Sequence, residues 1–148
     1  MIAPLLRIGI ALFAFVGTAF AGETAYTGVY ESWGRVCQGA LRLGDRTVEW
    51  KTPFNDCRRS TYEVLDLAKK DEPPRIALRI ENPSRRCHTE VIELREQPIG
   101  PAPKMWGISA YPSLAAYRNR ALPGWKDSTA DDRMSWSCPL DPRDDPRR

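Results

Sequence analysis

The sequence predicts a mainly β protein: a small antiparallel meander of about six to seven strands that forms a barrel or curled sheet, with a short C-terminal helix and two disulfides. Two observations lead to this fold class. Apolar residues between positions 26 and 95 recur with period two rather than with the period of about 3.6 that a helix requires. Four cysteines follow a segment typical of an export signal, and an oxidising compartment would pair them.

The first residues have the order of charge and apolar groups that is typical of an export signal. An early arginine, Arg7, precedes an apolar run over 8–16, and the small-x-small sequence A-F-A ends the segment. The run is too short to cross a bilayer. We therefore predict a signal peptide over 1–21 that is removed before Gly22, with a retained amphipathic anchor as the alternative. The chain would then be periplasmic or secreted, without a stable membrane anchor.

The exported chain is expected to form a single domain. Residues 22–140 are long enough for one core and too short for two. The segment 141–148, D-P-R-D-D-P-R-R, has no apolar side chain except proline and is predicted to be a disordered charged tail. Loss of Arg7 leaves 21 of the 22 basic residues against 19 acidic ones, a formal charge of +2. This balance excludes a dedicated nucleic-acid binder, which needs a strongly basic surface.

The segment 39–51 predicts a hairpin whose register follows from its side chains. If Leu43 lies opposite Val48, then Leu41 lies opposite Trp50 on the same face, and opposite charges meet on the other face. Trp50 is therefore expected to belong to the core rather than to a ligand site. The stretch W-K-T-P-F-N-D-C-R-R, which begins at Trp50, is then mainly a strand end and a corner.

A second hairpin joins 60–67 to 75–81 through a charged, proline-containing loop. With Val64 opposite Leu78, apolar side chains share one face and an opposite-charge pair shares the other. Shorter segments complete the meander. They are predicted strands at 26–33, 88–95 and 105–111, followed by a helix within 112–120 that Pro112 begins.

The second hairpin also bears on the pairing of the cysteines. Its register places Cys57 near Arg85, which is two residues from Cys87 in the chain. We therefore favour the pairs Cys57–Cys87 and Cys37–Cys138. The alternative is Cys37–Cys57 with Cys87–Cys138. A metal site is the alternative use of cysteine. However, no two cysteines lie closer than twenty residues and His88 is the single histidine, so no metal or other cofactor is expected.

The favoured pairing gathers four arginines at one end of the sheet: Arg58, Arg59, Arg85 and Arg86. Guanidinium groups in pairs bind carboxylates and phosphates well. The candidate ligand is therefore anionic, such as a cell-wall carboxylate, a lipid phosphate or an acidic loop of another protein. The alternative is that these arginines are ordinary solvated charges at strand ends.

A second candidate surface lies in the aromatic-rich late segment. Tyrosine, tryptophan and arginine are frequent anchors of protein interfaces. The alternative is that this segment only caps an open end of the barrel. The candidate residues are Trp106, Tyr111, Tyr117, Arg118 and Trp125.

Catalysis is the less favoured interpretation of the residues present. A serine with His88 and Glu90 could provide a nucleophile and a base, but the chain has no G-x-S-x-G motif and no phosphate-binding glycine motif. A carboxylate pair is another route to hydrolysis. The candidates Glu49, Glu63, Glu90 and Glu93 fall mainly on the predicted outer faces of strands, where charge is solvated.

We therefore expect an exported, soluble binding module whose target is an envelope or extracellular protein or an anionic ligand. Such a module could inhibit a hydrolase, neutralise a toxin or hold an envelope component, and the residues do not rank these roles. The first alternative is a small secreted hydrolase that uses His88 or a carboxylate pair. The second is a structural envelope protein without a discrete site.

Overall fold

Eight antiparallel strands form a closed barrel in the computed structural model, which describes residues 24–97, 105–121 and 135–143. Each strand pairs with the next along the chain, and the last pairs with the first. The predicted small β-barrel is confirmed, with slightly more strands than predicted. The elements are a 3-10 helix (Thr24–Tyr26), β1 (Gly28–Ser32), β2 (Gly39–Leu43), β3 (Thr47–Thr52), β4 (Asn55–Leu67), β5 (Arg75–Ile80), β6 (Val91–Gln97), β7 (Met105–Tyr111), α1 (Leu114–Asn119) and β8 (Trp136–Arg143).

The barrel interior is filled by the apolar side chains of the period-two pattern. Alternate residues along the strands point inward and pack into one cluster that is shielded from water. The described interior is therefore an apolar core. The largest fully buried side chains are Trp50, Leu41, Ile76, Leu78, Ile80, Ile92, Leu94, Ile108 and Leu140.

Both predicted hairpin registers are confirmed. Leu41 lies opposite Trp50 between β2 and β3, and Val64 lies opposite Leu78 between β4 and β5. Trp50 is only 1% exposed, so it is a core residue as expected. The two residues 53–54 connect β3 to β4, which makes the W-K-T-P-F-N stretch a strand end and a corner.

A β-bulge in β4 changes which of its side chains point outward. At the bulge Glu49 of β3 stands opposite two residues of β4, Arg58 and Arg59. Both arginines are exposed, whereas Cys57 beside them remains inside the barrel. The bulge therefore presents two consecutive guanidinium groups on the same surface.

The C-terminal strand is a correction to the predicted boundaries. Residues 136–143 form β8, which is absent from the predicted strands and closes the barrel between β7 and β1. Cys138 and Leu140 of β8 are buried, and this burial favours the strand despite its two prolines. Because β8 continues to Arg143, it takes up the first three residues of the tail predicted over 141–148.

Both predicted disulfides are present, Cys37–Cys138 and Cys57–Cys87. Disulfides of this kind indicate an oxidising environment, such as the periplasm or the extracellular space. Among the described helices, none is long and apolar enough to cross a membrane. The predicted signal peptide over 1–21 lies outside the described residues.

Candidate functional site

Alternate connections of the meander meet at one end of the barrel, because consecutive strands are antiparallel. Both disulfides lie at this end. Cys37 of the β1–β2 loop is bonded to Cys138 of β8, and Cys87 of the β5–β6 loop is bonded to Cys57 of β4. We call it the disulfide-closed end, and it comprises residues 33–38, 53–54, 81–90, 112–113 and 136.

Asn55, the first residue of β4, holds the β5–β6 loop against the barrel. Its buried side chain donates from Nδ2 to Thr89 Oγ1 (3.2 Å) and accepts at Oδ1 from the amide of His88 (2.7 Å). The amide of Asp56 donates to the carbonyl oxygen of Arg86 (3.0 Å). Together with the neighbouring disulfide, these bonds fix the loop at several points along its length.

A cleft of about 690 Å³ opens between the β5–β6 loop, the β3–β4 corner and the start of β8. The rings of Phe54 and Trp136 line it, with their centroids 6.1 Å apart. Pro83 and Pro112 add further apolar lining. Its volume falls in the range of ligand pockets in proteins. We call it the Phe54–Trp136 cleft.

The polar groups that line this cleft are mostly bonded within the protein. Glu90 Oε1 pairs with the Arg79 guanidinium at 2.7 Å, and Glu90 Oε2 accepts from the amide of the first residue of α1 at 3.0 Å. The Thr89 hydroxyl accepts from Asn55. His88 is exposed, and its backbone amide is bonded to Asn55. The cleft therefore presents apolar surface and the imidazole of His88.

The large apolar side chains that are strongly exposed in the described part of the chain all lie at this end. Trp33 is 49% and Val36 is 47% exposed in the β1–β2 loop, and Phe54 is 57% exposed at the β3–β4 corner. Apolar surface that is concentrated in one region of a protein marks a contact site for another molecule. The disulfide-closed end is therefore the candidate functional site.

The four arginines predicted as a binding patch lie around this end and are exposed. The disulfide joins β4, which carries Arg58 and Arg59, to the loop that carries Arg85 and Arg86. Arg58 Nε lies 3.9 Å from Asp56 Oδ2. Within the described ranges, the other three make no ion pair with a carboxylate. Their role in binding stays a prediction.

The late aromatic residues do not form one surface. Trp106 is partly buried against the barrel core, edge-on to a core tyrosine at 6.0 Å. Tyr111, on the other face of β7, packs with Tyr117 against the wall formed by β5, β6 and β7, so α1 covers this wall rather than an open end. Arg118 is exposed on α1, and Trp125 lies outside the described residues.

Glu93 lies on the outer face of β6 but is buried beside α1. Its side chain is 5% exposed, and its Oε2 lies 3.3 Å from Nη2 of Arg120. The expectation of a solvated carboxylate is therefore wrong for Glu93, because α1 folds back over the wall. The Arg120 guanidinium also stacks on the Tyr117 ring at 3.7 Å. Burial raises the pKa of both Tyr117 and Tyr111, and the Glu93 carboxylate raises it further while Arg120 lowers it.

We expect Tyr111 and Tyr117 to ionise at higher pH than the tyrosines of the unfolded chain. Since their folded-state pKa is raised, the stability gained from keeping them neutral is fully present below the unfolded-state pKa of about 10 and is lost as the pH rises through the folded-state pKa. Alkaline titration of the tyrosinate absorbance measures this. A variant with phenylalanine at both positions should lose the part of the absorbance change that occurs at the highest pH. An unchanged curve would contradict the prediction.

The residues considered for catalysis do not form a catalytic set in the described structure. His88 lines the cleft with Glu90, but both oxygens of Glu90 are already bonded. Glu49 pairs with Lys51 at 2.9 Å, and this hydrogen bond lowers the pKa of Glu49. Within the described ranges, no group of three or more His, Cys, Asp or Glu could hold a metal ion. These contacts give the hydrolase alternative no support.

Three aromatic residues of the site are missing from the predicted candidates: Trp33, Phe54 and Trp136. A signal for Phe54 is present in the sequence, because a large aromatic residue occupies a connection where small and polar residues are usual. No local signal brings Phe54 and Trp136 together, since they are far apart in the chain. Comparisons with known proteins assign no family, because no family model, no curated protein and no solved structure matches this chain.

Proposed function

We propose that the chain is an exported binding module that contacts another protein through the disulfide-closed end. The observation that carries this proposal is the position of Trp33, Val36 and Phe54, the strongly exposed large apolar side chains of the described residues, at that one end. Tryptophan and other aromatic residues contribute disproportionately to the free energy of protein association. A partner that covers these side chains gains the free energy of removing apolar surface from water.

The rigidity of this end supports a binding role. Both disulfides and the hydrogen bonds of Asn55 hold the loops against the barrel before a partner arrives. A preorganised surface loses less conformational entropy on association than a mobile one. Loops positioned by a rigid scaffold are also the usual place for binding residues.

Export is part of the proposal. The two disulfides need an oxidising compartment, and residues 1–21 have the composition of a signal peptide. The periplasm and the extracellular space both fit these features. Inhibition of a hydrolase, neutralisation of a toxin and retention of an envelope component would all use a surface of this kind.

Replacing Trp33 and Phe54 together by alanine is expected to weaken binding of the natural partner by about thirtyfold, or about 2 kcal/mol, as for hot-spot residues. The tagged mature protein captures partners from extracts of the cell envelope and from the medium. The affinity of each identified partner for the native chain and the variant is then measured by calorimetry. Because both side chains are exposed, the variant should retain the native circular dichroism spectrum.

Arg46→Ala is the matched control for this experiment. Arg46 is exposed in the turn between β2 and β3, at the opposite end of the barrel. The control variant should bind the partner with native affinity. A partner that binds the Trp33→Ala/Phe54→Ala variant as tightly as the native chain would place the contact surface elsewhere and overturn the proposal.

A further inference from the structure

The described surface of the disulfide-closed end has an excess of positive charge. The loops 33–38 and 81–90 and the adjoining stretch 51–59 carry six basic and three acidic residues, and one of the basic residues, Lys51, pairs with Glu49 of β3 at 2.9 Å. Of the acidic side chains, Asp56 and Glu90 already lie beside an arginine. A positive field at a contact surface speeds the approach of a negatively charged partner and disfavours positively charged ones.

Four arginines at or beside this end form no ion pair with a carboxylate among the described residues, although Arg59 lies near enough to Glu49 to lower its pKa. Guanidinium groups that gather without carboxylates repel one another, and each can form a bidentate pair with an incoming carboxylate. On the barrel wall, by contrast, Arg79 and Arg120 lie 2.7 Å and 3.3 Å from the oxygens of Glu90 and Glu93. The arginines of the end without an ion-pair partner among the described residues are Arg35, Arg59, Arg85 and Arg86.

The Phe54–Trp136 cleft has the size and lining to receive an apolar side chain. Its volume of about 690 Å³ exceeds that of any single side chain, and its walls include two aromatic rings and two prolines. Because the oxygens of Glu90 and the hydroxyl of Thr89 are bonded internally, a strongly polar group would leave water and find few replacement bonds other than one to the His88 imidazole. An apolar group has no hydrogen bonds with water to lose when it enters the cleft.

We infer that the partner is an acidic protein that inserts an apolar side chain into the Phe54–Trp136 cleft while flanking carboxylates pair with the arginines. This inference rests on the proposed function and narrows it to the chemistry of the partner. The apolar cleft and the unpaired arginines lie at the same end, which matches an acidic segment with an apolar residue at its tip. A protruding segment fills a concave cleft, whereas a flat lipid surface covers only its rim.

Three synthetic peptides of equal length test this inference by their effect on the amide NMR signals of the native, disulfide-bonded protein. The first has a Trp-Leu pair flanked by glutamates, the second has lysines in place of the glutamates, and the third has Ser-Ser in place of Trp-Leu. The first peptide should shift the signals of Phe54, His88 and Trp136. The second and third should bind at least about tenfold more weakly, a difference of about 1.4 kcal/mol.

Two variants that each lose three positive charges show whether peptide binding depends on the arginines of the disulfide-closed end. The site variant should bind the first peptide about tenfold more weakly than the native chain, and added salt should weaken native binding more than variant binding. The control variant, altered at the opposite end of the barrel, should bind like the native chain. The site variant is Arg35→Ser/Arg85→Ser/Arg86→Ser, and the control is Arg46→Ser/Lys69→Ser/Lys70→Ser.

The outcomes distinguish this inference from the proposed function. Equal binding of the acidic and basic peptides, an unaffected site variant, or no shift at millimolar peptide overturns the acidic partner. The proposed function is tested separately, and it fails if the natural partner binds the Trp33→Ala/Phe54→Ala variant with native affinity. Arginine-dependent sedimentation with phosphatidylglycerol vesicles would assign the surface to a membrane instead. The amide signals of the cleft are also compared between the native chain and the Trp125→Ala variant without peptide. A difference would assign the cleft to the chain's own segment 122–134. Either this result or the vesicle result overturns the inference.

Discussion

Replacing Cys37 and Cys138 together by alanine is expected to lower the free energy of unfolding by about 4.7 kcal/mol. The bridge closes a loop with a sequence separation of 101 residues, and the chain entropy that a cross-link removes from the unfolded state grows with loop length. It also ties the β1–β2 loop to β8 and thereby secures the strand that closes the barrel. Urea unfolding monitored by tryptophan fluorescence measures the change.

The second bridge provides the comparison. Cys57 and Cys87 are separated by 30 residues, and the same entropy relation gives a loss of about 3.6 kcal/mol for their replacement by alanine. Cys37 and Cys138 are both buried, whereas Cys87 is only partly buried beside the buried Cys57, so the loss of core packing acts in the same direction as the entropic term. A larger loss for the Cys57–Cys87 pair would contradict the entropic explanation.

The Cys57–Cys87 bridge should matter more for peptide binding than the Cys37–Cys138 bridge, which is the reverse of their expected effects on stability. Cys87 belongs to the β5–β6 loop, which also supplies Pro83, His88 and Glu90 to the cleft. Loss of Cys57–Cys87 therefore leaves this loop held by the hydrogen bonds of Asn55 and Asp56 and loosens a large part of the cleft lining, whereas loss of Cys37–Cys138 leaves all of its attachments in place. Peptide binding by the two variants, measured under conditions where both remain folded, separates stability from site geometry.

The hairpin registers could be predicted from sequence because two independent patterns agreed. In the hairpin of β2 and β3, the register that pairs Leu41 with Trp50 also pairs opposite charges on the outer face. A shift by one residue would turn every side chain to the other face and break both patterns. The pairing of Cys57 with Cys87 followed from the same reasoning in the next hairpin.

Strand β8 could not be predicted in this way. Its sequence, W-S-C-P-L-D-P-R, contains two prolines, which argue against a strand when only local preference is considered. In the folded chain β8 has a neighbour on both sides, and Cys138 and Leu140 are buried between them. Closure of the barrel is a property of the whole chain, and no short window of sequence contains it.

The candidate site was predictable only in its charged part. Arg58 and Arg85 came together in the prediction because the disulfide register joins their segments. The Phe54–Trp136 cleft depends on two segments that meet only after β8 closes the barrel. The burial of Glu93 likewise depends on α1 folding back on the wall, which the alternating pattern of β6 does not reveal.

Arg120→Ala is expected to lower the free energy of unfolding by about 3 kcal/mol, because it leaves the buried Glu93 carboxylate with only the more distant and more exposed Arg95, at 3.9 Å. The value is at the low end of the range for broken buried pairs, since the Arg120 side chain itself is 30% exposed. Adding Glu93→Gln removes the buried charge, so the double variant should recover most of the loss. Urea unfolding at neutral pH measures all three proteins.

Arg118→Ala controls for the loss of a positive charge from the C-terminal end of α1, which Arg120 caps. Arg118 is exposed, so this variant should unfold within about 0.5 kcal/mol of the native chain. Arg120 also packs on the Tyr117 ring, and that contact is lost in both the single and the double variant. Arg120 Nη1 also donates to the Tyr117 carbonyl oxygen at 2.7 Å. If the double variant is as unstable as Arg120→Ala, the loss comes from these contacts with Tyr117, and the Glu93 charge does not decide the stability of the wall.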